Sequence, residues 1–305
     1  MRHRRKRRRG PAVIAIAAVV CVIGAGLVTH VFLPSTTGAS TTGVSGFYLD
    51  VGASASLGFQ PTGIVHHNGH RTDTGYANDV VAFERAKGVN LKLRQIGCPG
   101  ETAESMLLSG DHCYTLPNRQ LPVALKFLQA NTNSVGLVTI DLGFNDVRPC
   151  LNTAVIDMTC AEQGISYVRD DLPKVLDQLK AAAGPHVHFV GLEYGDPFLA
   201  HYLKGGTSIT AATQSLQVMT QLDDLLESIY TAAHIPTANI AGQFKSANLS
   251  PATLPNVGVV PQNVASACTL TWMCTPPPWG PDDHPNNDGY RAIAEAIVAK
   301  LPTTW

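Results

Sequence analysis

The sequence predicts an α/β fold built on a mainly parallel five-stranded sheet covered by helices on both faces. Two observations carry this. Short runs rich in β-branched and aromatic residues alternate with longer segments whose apolar residues recur at helical spacing. The Gly-, Ser- and Asn-bearing motifs fall directly after the β-rich runs, and ligands in open α/β sheets bind outside the carboxyl ends of the strands.

The runs read as strands are "GFYLDV" (46–51), "LKLRQI" (91–96), "VGLVTIDL" (135–142), "VHFVGLEY" (187–194) and "ANIAGQF" (238–244). Between them "ANDVVAFERAKG", "LPVALKFLQANT", "YVRDDLPKVLDQLKAAAG" and "AATQSLQVMTQLDDLLESIYTAAH" are amphipathic helices, and "DGYRAIAEAIVAKL" closes the chain as another. Strands alternating with helices form parallel sheets buried on both sides. No internal repeat is present. At 305 residues, 45% hydrophobic and 15% charged, the chain has the composition of a globular protein with a sizeable core.

The front of the chain is different. Residues 1–10, "MRHRRKRRRG", hold seven Lys or Arg, and residues 11–33 contain no acid, Lys or Arg. As a helix that stretch is about 34 Å long, enough to cross a bilayer. It is expected to be either a cleaved secretory signal or a transmembrane anchor with its basic end in the cytoplasm. Residues 34–45, beginning "PSTTGASTTG", read as a linker, leaving 46–305 as one extracytoplasmic domain, secreted or anchored. The decamer takes seven of the 22 basic residues, so 15 remain against 23 acids, and the exported part is acidic. That excludes a nucleic-acid partner; the membrane is met through the N-terminal segment alone.

Cysteine usage agrees with export. Cys21 lies in the apolar run, and the other six form an even set suited to an oxidising compartment. Pairing sequence neighbours is the simplest arrangement: Cys98 with Cys113, Cys150 with Cys160, Cys268 with Cys274. Their spacings lack the close pairs of a metal cluster. "HHNGH", with His66, His67 and His70, has no carboxylate or cysteine partner at ligand spacing and reads as a solvated loop.

Four blocks carry the chemistry: "GASAS" (52–56) after the first strand, "GCPGET" (97–102) after the second, "GFND" (143–146) after the third, and "DDHPNNDGY" (282–290) ahead of the last helix. Each alone reads as a turn or helix cap. A serine among Gly and Ala at a strand end, however, leaves a hydroxyl exposed to attack a substrate, provided a base takes its proton. His284, in a turn before the C-terminal helix, is that candidate base.

In this order the blocks resemble the SGNH, or GDSL, hydrolases, over roughly residues 47–301. The resemblance implies a three-layer α/β/α sandwich of flavodoxin-like kind, a serine nucleophile and ester hydrolysis without metal or organic cofactor. It implies Ser54 as nucleophile, His284 as base, and an oxyanion hole from the backbone N–H groups of Ser54 and Gly100 and the side-chain amide of Asn145. Glycine admits close approach, and an amide donates without a net charge.

Two positions depart from the family pattern. Where the family carries Asp before the nucleophile, this chain has Ala53, so the turn must be held otherwise. Where it carries Asp three residues before the histidine, this chain has Pro281. Asp282, Asp283 or a main-chain carbonyl near Pro281 is then left to orient His284; Asp282 is placed first because a buried carboxylate also stabilises the imidazolium. Trp279 in "TPPPWG" is assigned to the acyl pocket, and "GDPFLAHYLKGG" to a long connection shaping the cleft. The expected substrate is a small-molecule ester, a lipid or an acylated glycan. The rivals are a carbohydrate O-acetyl esterase of cell-envelope glycans and a catalytically silent binding protein of the same fold.

Overall fold

The computed structural model describes residues 45–64, 69–108, 113, 119–151, 153 and 155–305. The basic decamer, the apolar run 11–33, the linker up to residue 44, and His66 and His67 lie outside the described residues. Among those described, no helix is long and apolar enough to cross a membrane.

In chain order the elements are β1 (Ser45–Gly52), α1 (Tyr76–Ala86), β2 (Asn90–Gln95), α2 (Ala103–Leu107), α3 (Gln120–Ala130), β3 (Val135–Asp141), α4 (Phe144–Leu151), α5 (Met158–Ala182), β4 (His188–Leu192), α6 (Thr207–Ala232), β5 (Thr237–Ala238), α7 (Ile240–Gln243), β6 (Pro251–Leu254), β7 (Gly258–Pro261), α8 (Gln262–Leu270) and α9 (Asn287–Val298). Short 3-10 segments occupy Ala55–Leu57 and Pro197–Lys204.

The central sheet has five parallel strands in the order β2-β1-β3-β4-β5. Successive strand side chains point to opposite faces, and each face has its own core. Leu49, Val51, Val138 and Ile140 pack with Leu128 of α3, Leu172 and Val175 of α5, and Leu222 and Leu226 of α6. Tyr48, Leu91, Leu137 and Val190 pack with Val80 of α1 and Ile293 and Ile297 of α9. The result is a three-layer α/β/α sandwich. Its strand order reverses between β1 and β3, so the crevice where an open sheet binds ligands lies beyond Gly52 and Asp141.

The expected fifth strand, 238–244, is mostly not a strand. Only Thr237 and Ala238 pair with β4. Asn239 then accepts from the N–H of Gly242 through its side chain at 2.5 Å, and this cap starts α7. The connection "GDPFLAHYLKGG" is largely helical, its start capped by the Asp196 carboxylate on the Phe198 N–H at 2.8 Å. A hairpin of β6 and β7, absent from the sequence reading, pairs antiparallel ahead of α8.

Candidate active site

The first block turns away from the sheet at Gly52, whose φ of 153° and position against Asp141 leave no room for a side chain: a Cβ would stand 2.4 Å from the Asp141 carbonyl oxygen. Ser54 follows, half-buried, at the start of the 3-10 turn. Ser56 is the buried one and donates its hydroxyl to Ala53 O at 2.7 Å, a structural bond that leaves Ser54 facing the cavity.

The fourth block brings its histidine to the same place. His284 Nε2 lies 2.9 Å from Ser54 Oγ, across 230 positions of sequence. On the other side of the ring, Nδ1 lies 2.7 Å from Asp282 Oδ1. The same carboxylate oxygen accepts from the His284 backbone N–H at 2.9 Å, so ring and main chain are held by one acceptor. Asp283 is farther from Nδ1, at 3.8 Å, and its buried carboxylate is taken by the Arg148 guanidinium through Nε and, at 3.1 Å, Nη2. Burial pushes the Asp282 carboxyl up, but its hydrogen bond to His284 and the charges of His284 and Arg148 outweigh that and hold it below its ordinary range. Asp282, Asp283 and His284 offer ligand atoms close enough together for a metal ion. The guanidinium on Asp283 opposes a cation there.

Asn145, on α4 directly after β3, also lines the Ser54 cavity and donates its side-chain amide to Glu101 O at 3.1 Å. Gly100 occupies the loop just ahead, exposed, at φ 83°, with nothing within 4 Å of where a Cβ would sit. It does not line the cavity itself. The loop is tied at both ends, by Cys98 N–H to Gly52 O at 2.9 Å and by Glu101 O to Asn145. Among the described residues, neither the Ser54 nor the Gly100 N–H donates to a protein acceptor.

Two residues that the sequence reading did not single out hold this framework. Asp141, at the end of β3, accepts from the Ser56 N–H at 3.1 Å and from the Tyr194 hydroxyl at 2.8 Å. It supplies the carboxylate that Ala53 lacks, from a neighbouring strand. Burial pushes its carboxyl up; the bonds from Tyr194, Ser56 and Ala53 oppose that. Gln120, at the head of α3, is fully buried and clamps Gly52: Oε1 accepts from its N–H at 2.8 Å and Nε2 donates to its carbonyl at 3.0 Å. The same Nε2 reaches Glu101 Oε2 at 2.8 Å, joining the two loops. Asp146, last in "GFND", accepts from the Ala103 N–H at 3.1 Å at the head of α2, and burial raises its carboxyl to about 7.

Three disulfides join sequence neighbours, Cys98–Cys113, Cys150–Cys160 and Cys268–Cys274, each beside one of these blocks. The cavity in front of Ser54 measures about 70 Å³ and is walled by Tyr76, Leu192, Tyr194, Ile240, Phe244 and Ile293 among others. Trp279 does not line it. The proline-rich segment carries that ring to an adjoining cleft, where it stacks on Trp272 with centroids 6.0 Å apart, so its assignment to the acyl pocket is corrected.

No protein-family model matches the chain, and no curated protein matches it in sequence. Solved structures do match in shape. An extracellular lipase from Streptomyces rimosus superposes with a TM-score of 0.56 at 16% identity, over 84% of this chain and 100% of that one. A phospholipase A1 from Streptomyces albidoflavus does so with a TM-score of 0.52 at 16% identity, over 85% of this chain and 100% of that one. With the four blocks on the strand ends and helix start described above, the chain has the fold of the SGNH hydrolases.

Proposed function

We propose that the chain is an extracytoplasmic serine esterase that cleaves short-chain carboxylic esters. The observation that carries this reading is the continuous line Ser54 Oγ, His284 Nε2, His284 Nδ1, Asp282 Oδ1, at 2.9 and 2.7 Å, opening into an apolar-walled cavity. Such spacing lets a histidine take the hydroxyl proton as the oxygen attacks. The two Streptomyces enzymes of like fold support ester hydrolysis as the reaction.

The steps follow from the positions of the groups. Ser54 Oγ attacks the ester carbonyl while His284 Nε2 takes its proton. Asp282 holds Nδ1–H and so fixes the tautomer with Nε2 free to accept, then offsets the charge of the imidazolium. The oxyanion accepts from the N–H groups of Ser54 and Gly100 and from Asn145 Nδ2, and donors to the charge that develops there supply a large share of the catalysis. His284 protonates the leaving alcohol, and a water deprotonated by the same ring releases the acid from Ser54.

Size selects the acyl group. A cavity of about 70 Å³ is roughly half the ~150 Å³ void that accepts benzene in an engineered core, which suits acetyl to butyryl and not a lipid chain. Export is supported by the three disulfides, and the basic decamer followed by the apolar run supplies the signal or anchor that delivers residues 46–305.

A fluorophosphonate probe tests the reading against a silent binding protein of the same fold. Peptide mass spectrometry is expected to find the label on Ser54 of folded, oxidised protein and to lose it in Ser54→Ala. An unlabelled Ser54 in the folded chain would remove the proposal. With p-nitrophenyl esters, kcat/KM is expected to fall by about tenfold or more from butyrate to octanoate, the discrimination a filled apolar pocket supplies.

A further inference from the structure

Beside the catalytic cavity lies a second, larger cleft that the chemistry above leaves unused. Its volume is about 740 Å³. One wall includes Gln60 and Pro61, in the segment after Ser54; their neighbour Phe59, outside the lining, donates its N–H to Ser54 O at 3.2 Å and sets its ring 5.4 Å from the His284 ring. The other wall is the segment before His284: Trp272 donates its N–H to His284 O at 3.1 Å and accepts from the Asp282 N–H at 3.3 Å. Nucleophile and base are thus each followed, within a few residues or one backbone bond, by a wall of this cleft.

The lining joins a flat aromatic platform to fixed polar groups. Trp272 and Trp279 stack with planes 25° apart, and Trp279 remains 45% exposed. It is seated against the backbone at Gly63, where a Cβ would come within 2.5 Å of its ring. A large apolar ring held rigid in solvent is a surface that gains by being covered. Opposite are amides, hydroxyls and a guanidinium set by one another: Gln60 Nε2 donates to Thr74 Oγ1 at 2.9 Å and to Asn287 Oδ1 at 2.7 Å, and Arg71 donates to Gln95 Oε1 at 2.7 Å.

The geometry points to a glycan-binding subsite: the cleft takes sugar residues of an O-acylated polysaccharide and presents an ester on one of their hydroxyls to Ser54. A pyranose ring has one apolar C–H face and a rim of hydroxyls that both donate and accept. The first fits a tryptophan plane, and the second fits paired amides and a guanidinium. A lipid alcohol offers no use for a rim of Gln, Asn, Thr, Asp and Arg. The choice of glycan as the alcohol side rests on the esterase reading, since that reading places the scissile bond at Ser54; binding by the cleft does not.

The test separates the two. In the Ser54→Ala chain, tryptophan fluorescence is followed during titration with xylotetraose, cellotetraose, mannotetraose and N-acetylchitotetraose. Quenching or a spectral shift with at least one of them, weakened about tenfold or more when Trp279→Ala is added, is the expected result. No response to any at millimolar concentration, or a response that Trp279→Ala leaves intact, overturns the inference. In the wild-type chain the ratio of kcat/KM for acetylated tetrasaccharide to that for p-nitrophenyl acetate is expected to drop about tenfold in Trp279→Ala. Sugar binding without hydrolysis of either ester would leave the subsite standing and remove the esterase.

Discussion

The turn after β1 and the turn before α9 meet at the Ser54–His284 bond, and both depart from the family pattern, but they are held in opposite ways. Around Ser54 the missing carboxylate at Ala53 is replaced from afar, by Asp141 and Gln120, 85 and 68 positions from the groups they bind. Around His284 the missing carboxylate at Pro281 is replaced from the next residue, Asp282, which bonds both the ring and the backbone two positions on. The roles differ as well. Asp141 faces an N–H and a phenol hydroxyl, neutral donors that need an acceptor, whereas Asp282 faces a ring that, in the proposed mechanism, becomes a cation in each catalytic cycle.

Substitution by asparagine tests that difference, and the largest effect belongs to Asp282. Asp282→Asn keeps the shape but loses the charge and invites the wrong imidazole tautomer; kcat is expected to fall by about 10³–10⁴. Asp283→Asn is expected to cost about tenfold or less, because it acts only by placing Arg148. Equal losses, or near-normal turnover in both, would show that a carboxylate two positions before the ring is not what orients it.

At Asp141 the same change is expected to be mild. An asparagine there can still accept from the Ser56 N–H and donate to Tyr194, so kcat is expected to fall by less than about fivefold. Asp141→Leu leaves the Ser56 N–H buried and unpaired. About 1–3 kcal/mol of stability is expected to be lost, and kcat to fall about a hundredfold as Ser54 moves off line. Denaturant midpoints and steady-state rates on both variants decide it. A loss in Asp141→Asn as deep as that in Asp282→Asn would mean the distant carboxylate also works by its charge.

This contrast explains what could be read from the sequence. Ser54, Asn145 and His284 stand in blocks whose residue types announce turns at strand ends or helix starts, and Asp282 is two positions from the ring it holds, so all four were legible. Asp141 reads only as the polar end of an apolar strand, and Gln120 as one more residue before an amphipathic helix. Nothing in period or spacing ties either to Gly52–Ser56, because their partners are chosen by sheet order. The β6–β7 hairpin escaped for a local reason: Pro251, Pro255 and Pro261 punctuate it, and proline argues against a strand. Trp279 was placed in the wrong pocket because a proline-rich run has no periodicity from which a side chain's direction can be taken.

The smallest expected effect is on stability against pH, where two carboxylates near the site, Asp146 beside the Gly100 loop and Asp282 beside His284, should respond with opposite sign. Burial raises Asp146, which caps the α2 start beside the Gly100 loop, from 3.8 to about 7. The folded state then binds its proton more tightly than the unfolded chain does, so its contribution is full below the ordinary carboxylate range and is lost as pH rises through about 7. Asp282 is held below its ordinary range, so its contribution is present above that range and lost as pH falls through the lowered value. Between the carboxylate range and neutrality, Asp146→Asn is therefore expected to flatten a decline of about 1–2 kcal/mol in unfolding free energy, less than the full linkage value because water reaches a partly buried group. Asp282→Asn is expected to leave that decline in place and to alter the acid limb instead. Chemical denaturation at stepped pH measures both, and a decline that survives Asp146→Asn unchanged would assign it to other raised carboxyls, among them Asp196 and Glu193, each also near 7, and the buried Asp50, Asp141 and Asp223.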